Sequence, residues 1–128
     1  MGDKILLSSQ ANNMFIFPGL ALGAALARAT MITDPMIMAA AESLPDMLPD
    51  HIVQNGGVYP QLDNIRDISA HVALATMRQA VACGTCKNDR LKSRLMRKST
   101  EEMIAWIRTK MYKPLYGPIV QLPPGINE

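Results

Sequence analysis

Aromatic residues are scarce in this chain of 128 residues: one Trp, three Tyr and two Phe, 5 % in all. A core built without rings must be filled by aliphatic side chains and by the 10 Met, whose unbranched thioethers fit irregular gaps. Cysteine is limited to Cys83 and Cys86, spaced C-x-x-C, and histidine to His51 and His71. Two thiols and two histidines outside any finger spacing exclude a four-ligand zinc module. A redox dithiol needs its first thiol at a helix N-terminus, where the dipole favours thiolate. Cys83 instead falls at the end of a long helical pattern, beside Gly84, where the dipole opposes it. Structural or idle thiols are expected, and reduced thiols suit an intracellular chain. A basic segment leading into an apolar run with a small-residue cleavage site is also lacking, so no secretory signal is read. The stretch 14–27 is uncharged, but a spanning helix needs about 20 apolar residues, and Pro18 and Gly19 interrupt this one. A buried helix is expected there, and no membrane partner. No internal repeat is visible.

What is present is a globular composition, 48 % hydrophobic and 19 % charged. The net charge of +2 is unevenly spread, because residues 87–113 carry nine of the 13 Lys and Arg against Asp89, Glu101 and Glu102. A solvated connector is the expected reading. A nucleic-acid partner is not, since no aromatic residue interleaves the cations between Lys87 and Lys98 to stack a base.

Along the chain, Lys4–Leu7 reads as a short strand entering a loop. A buried helix from about Pro18 to Ala29 follows, in which the Gly19/Gly23 spacing serves close packing. Thr33 is the expected cap of a second helix with Met36, Ile37, Ala40 and Leu44 on one face, ended by Pro45 and Pro49. His51–Tyr59 is expected to be a loop. Ile65, Ile68, Val72, Ala75, Met77 and Val81 recur at helical spacing, and Gly84 suits the position after such a helix. His71 lies beside this stripe as a hydrogen-bonded or solvent-facing residue. After the basic connector, Ser99-Thr100-Glu101-Glu102 forms a capping box for a helix to about Met111, with Ile104 and Ile107 buried and Trp106 nearby. Pro114, Pro118, Pro123 and Pro124 exclude regular structure in the tail. One short strand and about four helices make a mostly α-helical chain whose single strand needs a sheet completed elsewhere.

Gln10-Ala11-Asn12-Asn13-Met14-Phe15-Ile16-Phe17-Pro18-Gly19 resembles the Gln-x-Asn-Asn-x-aromatic-x-Phe-Pro-Gly signature of malic enzymes. Ile32-Thr33-Asp34, Ala39–Leu44, Val58-Tyr59-Pro60, Asn64-Ile65-Arg66 and Ile68-Ser69-Ala70 continue the likeness in order, and Met111-Tyr112 with Pro114 and Tyr116 resembles the end of some members. The resemblance implies an α/β family fragment, part of a Rossmann-like domain. Residues 1–86 would be the C-terminal portion of the NAD(P)-binding domain, and 87–128 a basic connector, a short helix and a Pro-rich tail. It implies oxidative decarboxylation of L-malate to pyruvate and CO2, with NAD or NADP and Mg or Mn. A general base takes the hydroxyl proton as hydride leaves, a metal polarises the ketone, and an acid protonates the enol.

The family's Lys and Tyr for proton transfer and its three acidic metal ligands lie upstream of the matched region. No catalytic and no metal-binding residue is therefore assigned, and the isolated chain is expected to be inactive. What carries over is the asparagine pair. Composition alone ranks helix capping first for Asn12 and Asn13. The resemblance reverses that order and makes both substrate-binding, with Asn12 also against the nicotinamide, their amides orienting malate without adding charge. No G-x-G-x-x-G is present, and the segment 87–100 does not follow the family. The resemblance implies partnership with the rest of a malic enzyme in a homo-oligomer, in the cytoplasm or mitochondria. A non-catalytic interaction or oligomerisation module derived from such an enzyme is the alternative.

Overall fold

The periodic stripe between Ile65 and Val81 becomes a helix, α4 (Ile65–Ala82), around which the other elements assemble. The computed structural model describes residues 10–115 and 117. Ile68, Val72, Ala73, Leu74, Met77 and Ala80 are buried along α4, and Gly84 (φ 72°) turns the chain off its end. Its two buried hydroxyls are satisfied within the helix: Ser69 Oγ donates to Ile65 O at 2.8 Å, and Thr76 Oγ1 to Val72 O at 2.9 Å.

Helix α1 (Phe17–Ala27), with Pro18 in its first turn, lies against α4 through Gly19 and Gly23. A Cβ on Gly19 would stand 2.6 Å from Val72 Cβ, and one on Gly23 2.6 Å from Ala73 O. The G-x-x-x-G spacing thus serves backbone approach between two helices. Only Gly19, Gly23 and Ala27 of α1 are buried. Its outer side, with Phe17, Pro18, Ala21 and Ala25, is exposed among the described residues, although the helix is apolar all round.

Helix α2 (Asp34–Glu42) buries Met36 and Ala40, and Leu44 follows them inward. Ile37, expected on that face, points outward, because one residue turns the helix by about 100°. Thr33 occupies the cap position without a side-chain cap bond. Its hydroxyl is directed to Cys83 Sγ at 3.8 Å.

Two helices depart from the expected loops. α3 (Asp50–Gln54) forms inside the segment read as a loop, with extended Pro49 before it and Asp50 in its first turn. α5 (Asp89–Arg97) replaces the basic connector. Asn88 starts it, accepting from Leu91 N at 3.1 Å while its amide donates to Leu26 O at 2.8 Å. Leu91 alone of α5 is buried, and Leu95 half-buried, so the apolar pattern is too thin to mark a helix in the sequence.

Helix α6 (Thr100–Lys110) carries the full capping box: Ser99 Oγ accepts from Glu102 N, and Glu102 accepts from Ser99 N. Met103, Ile104 and Ile107 are buried with Met77, Ala80 and Leu91 in the larger core cluster. A smaller cluster joins Phe15, Ala40, Leu44, Ile68 and Val72. Arg108 pairs with Asp67 at 2.9 Å, and Arg66 donates to Tyr112 O at 3.1 Å, holding the end of α6 and the residues after it along α4. Six α-helices and no strand occur among the described residues. The expected strand Lys4–Leu7 and the prolines 118, 123 and 124 lie outside them.

Candidate functional site

Ahead of α1 the chain makes one 3-10 turn, Asn13–Phe15, and this turn displays the asparagine pair. Asn12 is extended (φ −144°, ψ 138°), and its Oδ1 accepts from Met14 N at 2.9 Å. The capping role therefore holds for Asn12. It fixes the side-chain oxygen on the backbone and leaves the amide NH2 as the group with hydrogen-bonding capacity to spare. Asn13 is exposed, and its side-chain amide has no hydrogen-bond partner among the described residues. The two neighbours differ: one amide is oriented by its own turn, the other is free to meet a ligand.

The turn is seated by Phe15, which is buried and stacks on Tyr59 with ring centroids 5.5 Å apart and planes at 14°. Tyr59 arrives from the loop after α3, where Gly57 presses so closely on Ile52 that a Cβ would come within 2.4 Å of it. Residues 11–18, Leu20 and Tyr59 border an open recess of about 660 Å³. It offers two carboxamides at the rim and an apolar lining of Met14, Ile16, Phe17 and Pro18. That donor set suits a carboxylate or a planar, amide-bearing ring. The likeness marks Val58-Tyr59-Pro60, but nothing local joins Tyr59 to Phe15, because a contact across 44 positions leaves no periodic pattern.

Other candidates resolve into structural roles. His71 Nδ1 lies 2.8 Å from Asp67 O, and His71 and His51 border a separate recess of about 400 Å³. Among the described residues no three His, Cys, Asp or Glu side chains gather in a way that could hold a metal ion. Both thiols are free. Cys86 is buried with Sγ on Ala27 O at 3.3 Å, and exposed Cys83 accepts from Gln79 Nε2 at 3.3 Å. Among the described residues no helix is long and apolar enough to cross a membrane.

A helical unit with an Asn-Asn turn at the mouth of its first helix is one piece of a dinucleotide-binding enzyme domain: residues 1–81 match the family described as malic enzyme, NAD binding domain. The chain belongs to the malic enzyme family. It is 44 % identical over 119 residues to the mitochondrial NAD-dependent malic enzyme 59 kDa isoform of Solanum tuberosum, covering 91 % of this chain and 20 % of that protein. It is 40 % identical over 114 residues to the mitochondrial NAD-dependent malic enzyme 2 of Arabidopsis thaliana, covering 88 % and 19 %. The NADP-dependent chloroplastic malic enzyme of Flaveria pringlei is 37 % identical over 113 residues, covering 88 % and 16 %. The chain thus spans about a fifth of the length of these relatives.

Proposed function

We propose that this chain acts as the C-terminal segment of a malic enzyme that oxidatively decarboxylates L-malate to pyruvate and CO2 while reducing NAD or NADP. The carrying observation is the Asn12-Asn13 turn, held by the Phe15–Tyr59 stack inside the portion matched by the family. Asn13 and the Asn12 amide donate to malate and fix its pose, and Asn12 also borders the nicotinamide. Their neutral donors orient the substrate without moving a proton. In this reading metal binding and proton transfer fall to the rest of the enzyme.

In this reading residues 1–86 complete a Rossmann-like NAD(P)-binding domain and 87–128 add a basic helix, α6 and the tail. The enzyme is an intracellular, mitochondrial homo-oligomer, matching the compartment named for two of the relatives above. The chain alone is inactive. In a complete enzyme carrying this segment, Asn13→Ala raises KM for malate or lowers turnover by about tenfold, the worth of one hydrogen bond to a charged group. Unchanged malate kinetics in both Asn12→Ala and Asn13→Ala remove the assignment.

The exposed apolar side of α1, with Met31, Ile32 and Met38 nearby in sequence, favours a second reading, a non-catalytic module that docks on an intact malic enzyme subunit. Restored malate-dependent NAD(P) reduction, on mixing the chain with a subunit lacking this segment, selects the enzymatic reading. A stable complex without turnover selects the module.

A further inference from the structure

The two asparagines depend on different supports. Asn12 is held locally, by the bond from Met14 N to its own Oδ1. Asn13 has no such bond, so the direction of its amide follows from how the whole turn is seated. Phe15 is that seat. Phe15 N donates to Asn12 O at 3.1 Å and Ile16 N to Asn13 O at 3.2 Å, which joins the ring and both amides in one hydrogen-bonded turn. The ring packs with Ala40, Leu44, Ile68 and Val72, and Tyr59 stacks on its face.

Tyr59 reaches this place on a loop that is itself tied down. Gly56 N donates to Val53 O at 3.0 Å and Gly57 N to Ile52 O at 2.8 Å, and Gly56 takes a positive φ of 78°. Pro60 then disfavours helical backbone at Tyr59, and the 3-10 turn Leu62–Asn64 leads into α4. Tyr59 is half-buried and borders the recess, so it contributes less burial than a core side chain does. Its hydroxyl has no hydrogen-bond partner among the described residues. The ring face, and not the hydroxyl, is the part that the fold engages.

We propose that Tyr59 is a positioning residue for malate: its stack on Phe15 sets where the Asn13 amide stands. The inference rests on the reading of Asn13 as a donor to malate. Displacement by about 1 Å at a reacting centre can cost a hundredfold in rate, so the seat of one donor bears on turnover. Because Tyr59 acts through Asn13, its loss costs no more than the loss of that amide. Asn12 keeps its own bond, and the Michaelis constant for NAD or NADP stays unchanged.

The test is a double-mutant cycle in a complete malic enzyme carrying this segment. Tyr59→Leu is expected to lower kcat/KM for malate about fivefold, within the roughly tenfold worth of one hydrogen bond to a charged group. Tyr59→Phe restores native kinetics. In the Asn13→Ala background Tyr59→Leu costs less than about twofold, since the group it positions is gone. Tyr59→Met, whose flexible side chain refills the gap, takes the place of Tyr59→Leu if that variant does not fold. An equal loss in both backgrounds, or a raised KM for NAD or NADP, makes the ring a general support of the fold and overturns the inference. So does a Tyr59→Phe variant as impaired as Tyr59→Leu, which assigns the role to the hydroxyl, or native kinetics in Tyr59→Leu. Native kinetics in Asn13→Ala remove the malate assignment itself, and the inference with it.

Discussion

Gly23, like Gly19, lets α1 approach α4 more closely than a Cβ would allow. In Gly23→Ala two effects oppose each other. Helix propensity favours Ala by about 1 kcal/mol. The new Cβ, however, would stand 2.6 Å from Ala73 O and 2.8 Å from Thr76 Cβ, and a backbone carbonyl cannot swing aside. Overpacking costs about 1–3 kcal/mol, so the contact prevails and Gly23→Ala lowers the urea midpoint. An unchanged or raised midpoint would mean that the helices separate at little cost. Arg28 presents the opposite case. Glycine there relieves a left-handed backbone (φ 49°) worth roughly 1 kcal/mol, so thermal unfolding of Arg28→Gly is expected at an equal or higher temperature.

At the scale of the element, α6 depends on its first turn. Ser99→Ala removes the acceptor for Glu102 N and is expected to cost about 1 kcal/mol, read as a lower urea midpoint. The turn also carries a pH dependence. Glu102 is held below its ordinary value of 4.5 first by the bond from Lys98 and then by the Ser99 N–H; Glu101 is lowered first by Ser99 Oγ. A carboxylate with a depressed folded pKa contributes stability that is complete above its unfolded value and lost as pH falls through the folded one. The acid limb of stability therefore begins below about pH 4.5, and Glu102→Gln flattens it; an identical acid limb in the variant would place the sensitivity elsewhere. Helix α5 behaves differently, because it has one buried anchor, Leu91, and stands on the Asn88 cap. Asn88→Ala unpairs Leu91 N and Leu26 O together, so local amide exchange in α5 should rise more than in α6.

For the whole molecule the decisive feature is an uncovered side. Phe17 is 69 % exposed, and Met31, Ile32 and Met38 each exceed half. Phe15, just ahead of this helix, is by contrast buried and stacked on Tyr59. Apolar surface of this kind drives association, so the isolated chain is expected to form oligomers in light scattering and to bind a hydrophobic dye. Phe17→Ser should shift it towards monomer. A monodisperse monomer that ignores the dye would mean that this face is covered within the chain. The same surface accounts for an apolar helix in a chain one fifth as long as its relatives: α1 is made to be enclosed, and the described residues enclose one side of it.

The sequence by itself determined the elements that rest on local rules. The α4 stripe, the α6 capping box, Gly84 at a positive φ and the Gly19/Gly23 contact are each specified within about five residues of chain, where periodicity, cap chemistry and the missing Cβ act. The asparagine turn was legible through its family signature. Tertiary structure decided what depends on distance. It set Tyr59 against Phe15 and turned the connector into a helix through one cap and one buried leucine. It also divided the two asparagines into one anchored amide and one free. Such outcomes come from packing between segments dozens of residues apart, which leaves no periodic trace in either segment alone.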